Sequence, residues 1–215
     1  MRKILLTLLL ALGAQVAQAQ TTAPYGILVS QNQGTVDWPA VHEENDLDFV
    51  YVMATTGATL TDSRCETNLS QAAKAGFAVG AIHRYDRHYA AEGQFANFQA
   101  AVKGCNMELA PAVYVVPDSP YDINVKRLDL LLQLMEQAYG VKPIIMCSPE
   151  AYLKYFNLER YASYHVIIVS NGLKFPATRY SIWQYTDREQ VAGIVQYVPG
   201  LKLHPTYKVA NIKVK

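Results

Sequence analysis

Residues 48–83 read DFVYVMATTGATLTDSRCETNLSQAAKAGFAVGAIH and contain a strand, a helix and a second strand in succession. Asp48 to Met53 is rich in β-branched and aromatic residues, the composition of a strand. Cys65 to Lys74 places Leu69, Ala72 and Ala73 on one helical face, and Gly76 stands where a helix stops. Phe77 to His83 is again strand-like. Such continuous apolar strands, each followed by a helix, imply a mainly parallel sheet with both faces covered.

The same alternation extends in both directions. Gly26 to Ser30 is a strand candidate, followed by a polar loop through Trp38 and Pro39. Glu92 to Lys103 has Phe95, Phe98 and Val102 at helical spacing, and Leu109 to Val116 reads as a strand. Asp122 to Tyr139 is the longest helix, with Leu128, Leu131, Leu132 and Met135 as its inner stripe and Gly140 as its stop. Lys142 to Cys147 is the fifth strand, and Pro149 to Phe156 a short helix. His165 to Val169, Tyr180 to Gln184 and Val191 to Val198 then read as strands without long helices between them. Five strand–helix units followed by bare strands predict one α/β barrel of (β/α)5(β)3 type. In such barrels ligands bind at the strand C-terminal ends.

Composition narrows the function. The chain of 215 residues is 51% hydrophobic and 17% charged, which excludes disorder. Lys plus Arg is 19 and Asp plus Glu is 18, so no basic field points to nucleic acid or an anionic membrane surface. Met1-Arg2-Lys3, the apolar run Ile4 to Ala14 and Ala17-Gln18-Ala19 have the layout of a secretory signal peptide cut before Gln20. The apolar run is too short to span a bilayer of ~30 Å. The expected product is soluble, exported to the periplasm or beyond, and a single domain over residues 20–203 with a basic extension at 204–215. Removing 19 residues from 215 leaves 196, and loss of Arg2 and Lys3 takes the formal charge from +1 to −1.

Cys65, Cys105 and Cys147 match no zinc or redox motif, so no metal and no cofactor is expected. An oxidising compartment permits one disulfide and leaves one thiol over, and spacing does not choose the pair. Cys147 ends an apolar run and reads as a buried small hydrophobe.

Five segments resemble glycoside hydrolase family 25, the lysozyme family of peptidoglycan muramidases, from about Tyr25 to Leu203. GILVSQNQGTVDWPAV at 26–41 is similar to the family's GIDVS-x-x-QG-x-IDW, and DFVYVMATTG at 48–57 to its FxxxKATEG. NLSQAAKAGFAVGAIHRY at 68–85 resembles N-x-x-x-A-x-x-AG-x-x-x-GAYHF. GVKPIIMCSPEAY at 140–152 and SIWQYTDREQVAGI at 181–194 resemble GxxPxIYxxxxY and WQY…GI. The family fold implied by the resemblance is the same (β/α)5(β)3 barrel.

The resemblance also implies where acids should stand, and there this chain differs. The Asp of GIDVS falls on Leu28, and the Asp-x-Glu ending the fourth strand falls on Tyr114 and Val116. The Glu and Lys of KATEG fall on Thr56 and Met53, and the Asp after the last strand falls near Pro199. Glycosidic cleavage needs a proton for the leaving oxygen and a negative or orienting partner for the oxocarbenium-like charge. Leu28 and Val116 supply neither, and a missing general acid alone costs roughly 10²–10⁴-fold.

Other residues are candidates for ligand contact: His83, Tyr85, Tyr114, Asp118, Trp183 and Tyr185. His83 matches the His of GAYHF; it either meets a sugar hydroxyl or is a wall residue bonded to backbone. His83 to His88 form a polar cluster that either contacts an anionic ligand or is a solvated loop. Trp183 and Tyr185 form a stacking platform for a pyranose face, or they fill the barrel end. Asp118 is the first substitute acid, with the alternative that it accepts backbone bonds in a Pro-Asp-Ser-Pro turn. Asp187 reads as a turn cap, and Asp62 and Asp86 as loop residues. Tyr114 as a nucleophile would need a neighbouring base. Tyr89 and Tyr121 add to a tyrosine-rich face. Lys202 to Lys215 reads as an extra edge strand or a frayed tail.

The expected function is an inactive lysozyme-like module that binds peptidoglycan, another glycan or a protein. The alternatives are a working muramidase using Asp118 and a structural or assembly role.

Overall fold

A computed structural model describes residues 23–116, 123–172 and 179–214. Eight strands close into a mixed barrel, as expected. β1 (Tyr25–Val29), β2 (Phe49–Thr56), β4 (Ala78–Arg84), β5 (Ala112–Tyr114), β6 (Ile144–Cys147), β7 (Val166–Val169) and β8 (Ile182–Glu189) run parallel. β9 (Val198–Leu203) lies antiparallel between β8 and β1 and closes the ring. A short β3 (Leu60–Thr61) folds back on the end of β2. Helices α1 (Trp38–Glu44), α2 (Cys65–Lys74), α3 (Ala91–Ala101), α4 (Val125–Tyr139) and α5 (Pro149–Ala151) cover the outside.

The strands are buried on both sides, so the core has two shells. Leu28, Tyr51, Ile82, Met146, Ile182 and Leu201 fill the barrel interior. Val50, Val79, Val113, Ile145, Ile168 and Trp183 face the surrounding layer. The interior is tight enough to require Gly80, because a Cβ there would stand 2.6 Å from the Tyr51 ring. The Tyr51 hydroxyl crosses the interior to donate to the Ala110 carbonyl at 3.0 Å.

Several sequence expectations need correction. The segment expected to loop through Trp38 and Pro39 starts a helix, because Asp37 caps it (Ala40 N–H to Oδ1, 3.2 Å) and Pro39 suits a first turn. The last strand is 198–203 and not 191–198. Val191 and Ile194 are spaced by three, and they bury themselves in a turn held by a hydrogen bond from Asp37 N–H to the Gly193 carbonyl (2.9 Å). Pro199 is accommodated in β9 where its pairing with β8 passes irregularly from Val198 to Gly200. The strand expected from Leu109 to Val116 shortens to three residues after Pro111, and Leu109 bridges Lys213 instead. The Pro149 helix widens into a π-turn over Tyr152–Phe156. The C-terminal segment is neither an edge strand nor frayed. It forms a 3-10 turn, Val209–Ile212, whose Ile212 is 1% exposed under the barrel.

Candidate functional site

The strand C-terminal ends surround an open cavity of about 660 Å³. Four of the positions where the resemblance expects acids line it: Leu28 at the end of β1, Thr56 at the end of β2, Tyr114 at the end of β5, and Pro199 in β9. Met53, on the expected lysine position, lines it as well. Val116 is part-buried at the end of a described stretch, and Asp118 and Tyr121 lie outside the described residues. Met146 and Gln184 complete the floor, and Gln31, Asn32, Gln33 and Tyr197 stand on one wall.

A bulge decides how Thr56 reaches the cavity. The β2–β4 register passes from Met53↔Ile82 to Thr55↔His83, so one extra residue, Ala54, sits in β2. Tyr51 and Met53 face inward before it. After it Thr55 and Thr56 both border the cavity, and the Thr55 hydroxyl is turned to the buried His83.

Three charged residues line the cavity: Arg84, Asp62 and Asp187. Asp62 serves the backbone, since its Oδ2 accepts from Gln31 N–H at 2.8 Å and its Oδ1 from Arg64 N–H at 2.9 Å. Asp187 is exposed within β8 and does not cap a turn; Thr186 Oγ1 accepts from Arg188 N–H there. Burial pushes the Tyr114 phenol up, against a smaller downward pull from the Arg84 guanidinium. A phenol held protonated donates a hydrogen bond and does not act as a nucleophile. Among the described residues no group of three or more His, Cys, Asp or Glu is placed to hold a metal ion.

The remaining residues expected to contact ligand lie on the other side of the strands. His83 is fully buried and packs edge-on against Phe98 of α3. Its Nδ1 lies 2.7 Å from Thr55 Oγ1 and its Nε2 3.1 Å from Gln94 Oε1. Gln94 Nε2 donates to the Asp86 and Tyr89 carbonyls at 2.9 and 3.1 Å, which makes its Oε1 an acceptor. His83 therefore carries its proton on Nε2, and Thr55 donates to Nδ1. Burial pushes the His83 pKa down to about 4, so the ring is neutral at pH 7. Gln94 Oε1 also accepts from Asp86 N–H at 2.8 Å, which ties the loop after β4 to α3. That loop is thus held by structure, and Arg84 is its member at the cavity.

Tyr85 is also turned outward, its hydroxyl donating to the Asn124 carbonyl at 2.9 Å, and burial raises its pKa to about 12. Trp183 is 4% exposed and donates Nε1–H to the Ser170 carbonyl at 2.8 Å. Tyr185 donates to Glu189 at 2.5 Å, and its hydroxyl lies 2.5 Å from that of Tyr25. The Tyr185 ring is covered by Lys202 Nζ at 4.2 Å and by Gly200, where a Cβ would stand 2.8 Å from it. Neither aromatic ring is offered as a platform. The sequence reading missed Gln184 and Met146 and left Arg84 within an undivided loop cluster. The inward places of Ile82 and Ile182 two residues earlier are the signal that assigns Arg84 and Gln184 to the cavity.

Fold and cleft define a β/α-barrel protein of the lysozyme type, with an open cavity at the strand ends. Residues 27–194 match the sequence model of glycosyl hydrolases family 25, and the chain belongs to that family. It is 29% identical over 182 residues to an uncharacterized protein of Escherichia coli K12, YegX, covering 79% of this chain and 65% of that one. The chain thus spans about 65% of the length of those curated relatives. A shorter match to Lysozyme M1 of Streptomyces globisporus is 35% identical over 68 residues, 32% of this chain and 23% of that one. Among solved structures, a family 25 glycosyl hydrolase from Bacillus anthracis superposes with a TM-score of 0.75 at 24% identity, over 86% of this chain and 90% of that one. A lysozyme from Streptomyces coelicolor gives 0.76 at 18% identity, over 89% and 96%. No helix among the described residues is long and apolar enough to cross a membrane.

Proposed function

We propose that this protein is an exported glycan-binding member of family 25 without muramidase activity, and that its ligand is a peptidoglycan strand or fragment. The single observation behind the reading is that, among the described residues, the positions where the family places acids are neutral: Leu28, Thr56, Tyr114 and Pro199 line the cavity, with Met53 and Met146 beside them, where cleavage would need a proton donor and a counter-charge. Of the two carboxylates at the wall, Asp62 is occupied by two backbone N–H groups and Asp187 stands at the exposed rim. The amides of Asn32 and Gln184, the Gln31 Nε2 and the Tyr114 phenol supply donors and acceptors for sugar hydroxyls and N-acetyl groups, while the Gln33 amide is taken up by Ser30 and the Tyr197 carbonyl. Met53 offers apolar contact to a pyranose face. Export through residues 1–19 would deliver the barrel to the compartment that holds such a ligand.

The test pairs two measurements on the purified chain. Co-sedimentation with insoluble peptidoglycan is expected to retain the protein, while reducing-end release from the same material stays at the level of a heat-killed control. Reducing-end release that Asp118→Asn or Asp187→Asn abolishes would establish a working hydrolase with relocated acids. Failure to bind peptidoglycan or any soluble fragment, together with a stable oligomer, would favour an assembly role.

A further inference from the structure

We propose that Cys65 and Cys105 are the disulfide-forming pair of this protein, and that Cys147 is the thiol left over. Cys65 opens α2, is 2% exposed, and has its Sγ 3.9 Å from the Ala101 carbonyl oxygen at the end of α3. Cys105 follows four residues later in a closed turn, its N–H donating to the Val102 carbonyl at 3.0 Å, with Gly104 at φ 80°. A turn closed in this way keeps its first and fourth Cα atoms, Val102 and Cys105, within ~7 Å of each other at the end of α3. The chain therefore holds Cys105 beside the carbonyl that Cys65 already touches. Cys65 lies in the apolar cluster and Cys105 packs against it, close enough that a charge on Cys105 adds to the burial that pushes the Cys65 thiol up. Cys105 is part-exposed, so it gives the buried partner a route to solvent.

Cys147 sits elsewhere. It ends β6, and α2 packs on β2 and β4. From β2 to β6 the order is β2, β4, β5, β6, three steps of roughly 4.8 Å along the sheet. That is well beyond the span of a disulfide, whose Cα atoms stand about 4.4–6.8 Å apart.

The reaction needs an oxidant, and a small-molecule disulfide such as oxidised glutathione serves. The Cys105 thiolate attacks one sulfur of that disulfide, and the departing thiolate takes up a proton. Cys65 then loses its proton, attacks the Cys105 sulfur of the mixed disulfide and expels the second small thiol. Two protein S–H bonds are lost, one S–S bond is made, and the oxidant leaves as two thiols. The bond would pin the start of α2 to the end of α3. Just before α2, Asp62 and Ser63 hold Gln31 at the cavity wall, with Ser63 N–H and Oγ–H both donating to Gln31 Oε1 at 3.0 Å. Persistence of the bond in a cell rests on the export reading, whereas the reaction in a tube depends on neither export nor glycan binding.

The experiment treats the reduced, folded full-length chain with oxidised glutathione, then alkylates it in denaturant for intact mass and non-reducing peptide mapping. The expected result is a loss of about 2 Da, a peptide pair joined through Cys65 and Cys105, and Cys147 alkylated once. Cys147→Ala leaves that product unchanged, and Cys105→Ser eliminates it. A cross-link that includes Cys147 overturns the proposal. So does glutathione retained on Cys105 as the final product, or a folded chain whose mass does not change.

Discussion

The two sides of the same strand ends are built in opposite ways. On the outward side, chains of hydrogen bonds hold the strand ends to the covering layer. His83 and Gln94 form a chain of hydrogen bonds that ends on Thr55 at the cavity edge, and Tyr25, Tyr185 and Glu189 form another. On the inward side the same strands present Met53, Thr56, Tyr114 and Gln184 to an open cavity. The outer side fixes the strand ends against the helices, and the inner side is left accessible to a ligand. If the proposed glycan binding holds, stability and recognition separate across the thickness of one sheet.

Substitutions should separate in the same way. The largest stability effect is expected from Gln94→Leu, which strips partners from His83 Nε2–H, Asp86 N–H and two carbonyls. The loss is about 3–5 kcal/mol, read from the urea midpoint. Acid should act through the same chain. The unfolded imidazole titrates near ~6.5 and the folded one about 4, so between those values the unfolded state binds the extra proton. Stability contributed by neutral His83 is present above ~6.5 and is lost as pH falls to 4, roughly 3 kcal/mol in all. Urea unfolding at pH 7 and pH 4 checks this, and His83→Gln should flatten the difference.

The inner side should respond in binding and hardly in stability. Tyr114→Ala is expected to change unfolding by about 1 kcal/mol while weakening retention on peptidoglycan by roughly tenfold or more. A Tyr114→Ala protein that binds as before would remove the cavity from the proposed function. Asp187→Asn should have the smallest effect, under ~0.5 kcal/mol on stability, with reducing-end release unchanged from background. An outer substitution that abolished glycan retention while leaving the unfolding midpoint intact would break the division between the two sides.

Much of the barrel was legible from the order of elements. β2, α2 and β4 followed from the 48–83 stretch, and α4 from its leucine stripe and Gly140, whose left-handed φ of 70° caps the helix. The cavity positions Leu28, Thr56, Tyr114 and Pro199 followed from the resemblance. The side each strand-end residue faces was not legible. In a sheet exposed on one face, alternation of polar and apolar residues gives the parity. Here both faces of Val79 to His83 are buried, so His83 and Arg84 look equally eligible for the cavity. The β2 bulge reverses parity within one strand, and a run such as VMATT carries no mark of it. Asp37 and Pro39 did mark α1, and that cap signal was available in the sequence.

Closure of the ring by β9 has a consequence for where the gene can be cut. The family match ends at residue 194, but the strand that seals the barrel is 198–203, and the residue that stoppers its floor is Ile212. A recombinant fragment trimmed to the homology limits would leave β1 and β8 with unpaired backbone along adjoining edges. Such a fragment is a template for intermolecular sheet growth, so the chain through Ile212 belongs to the smallest piece that keeps the ring closed.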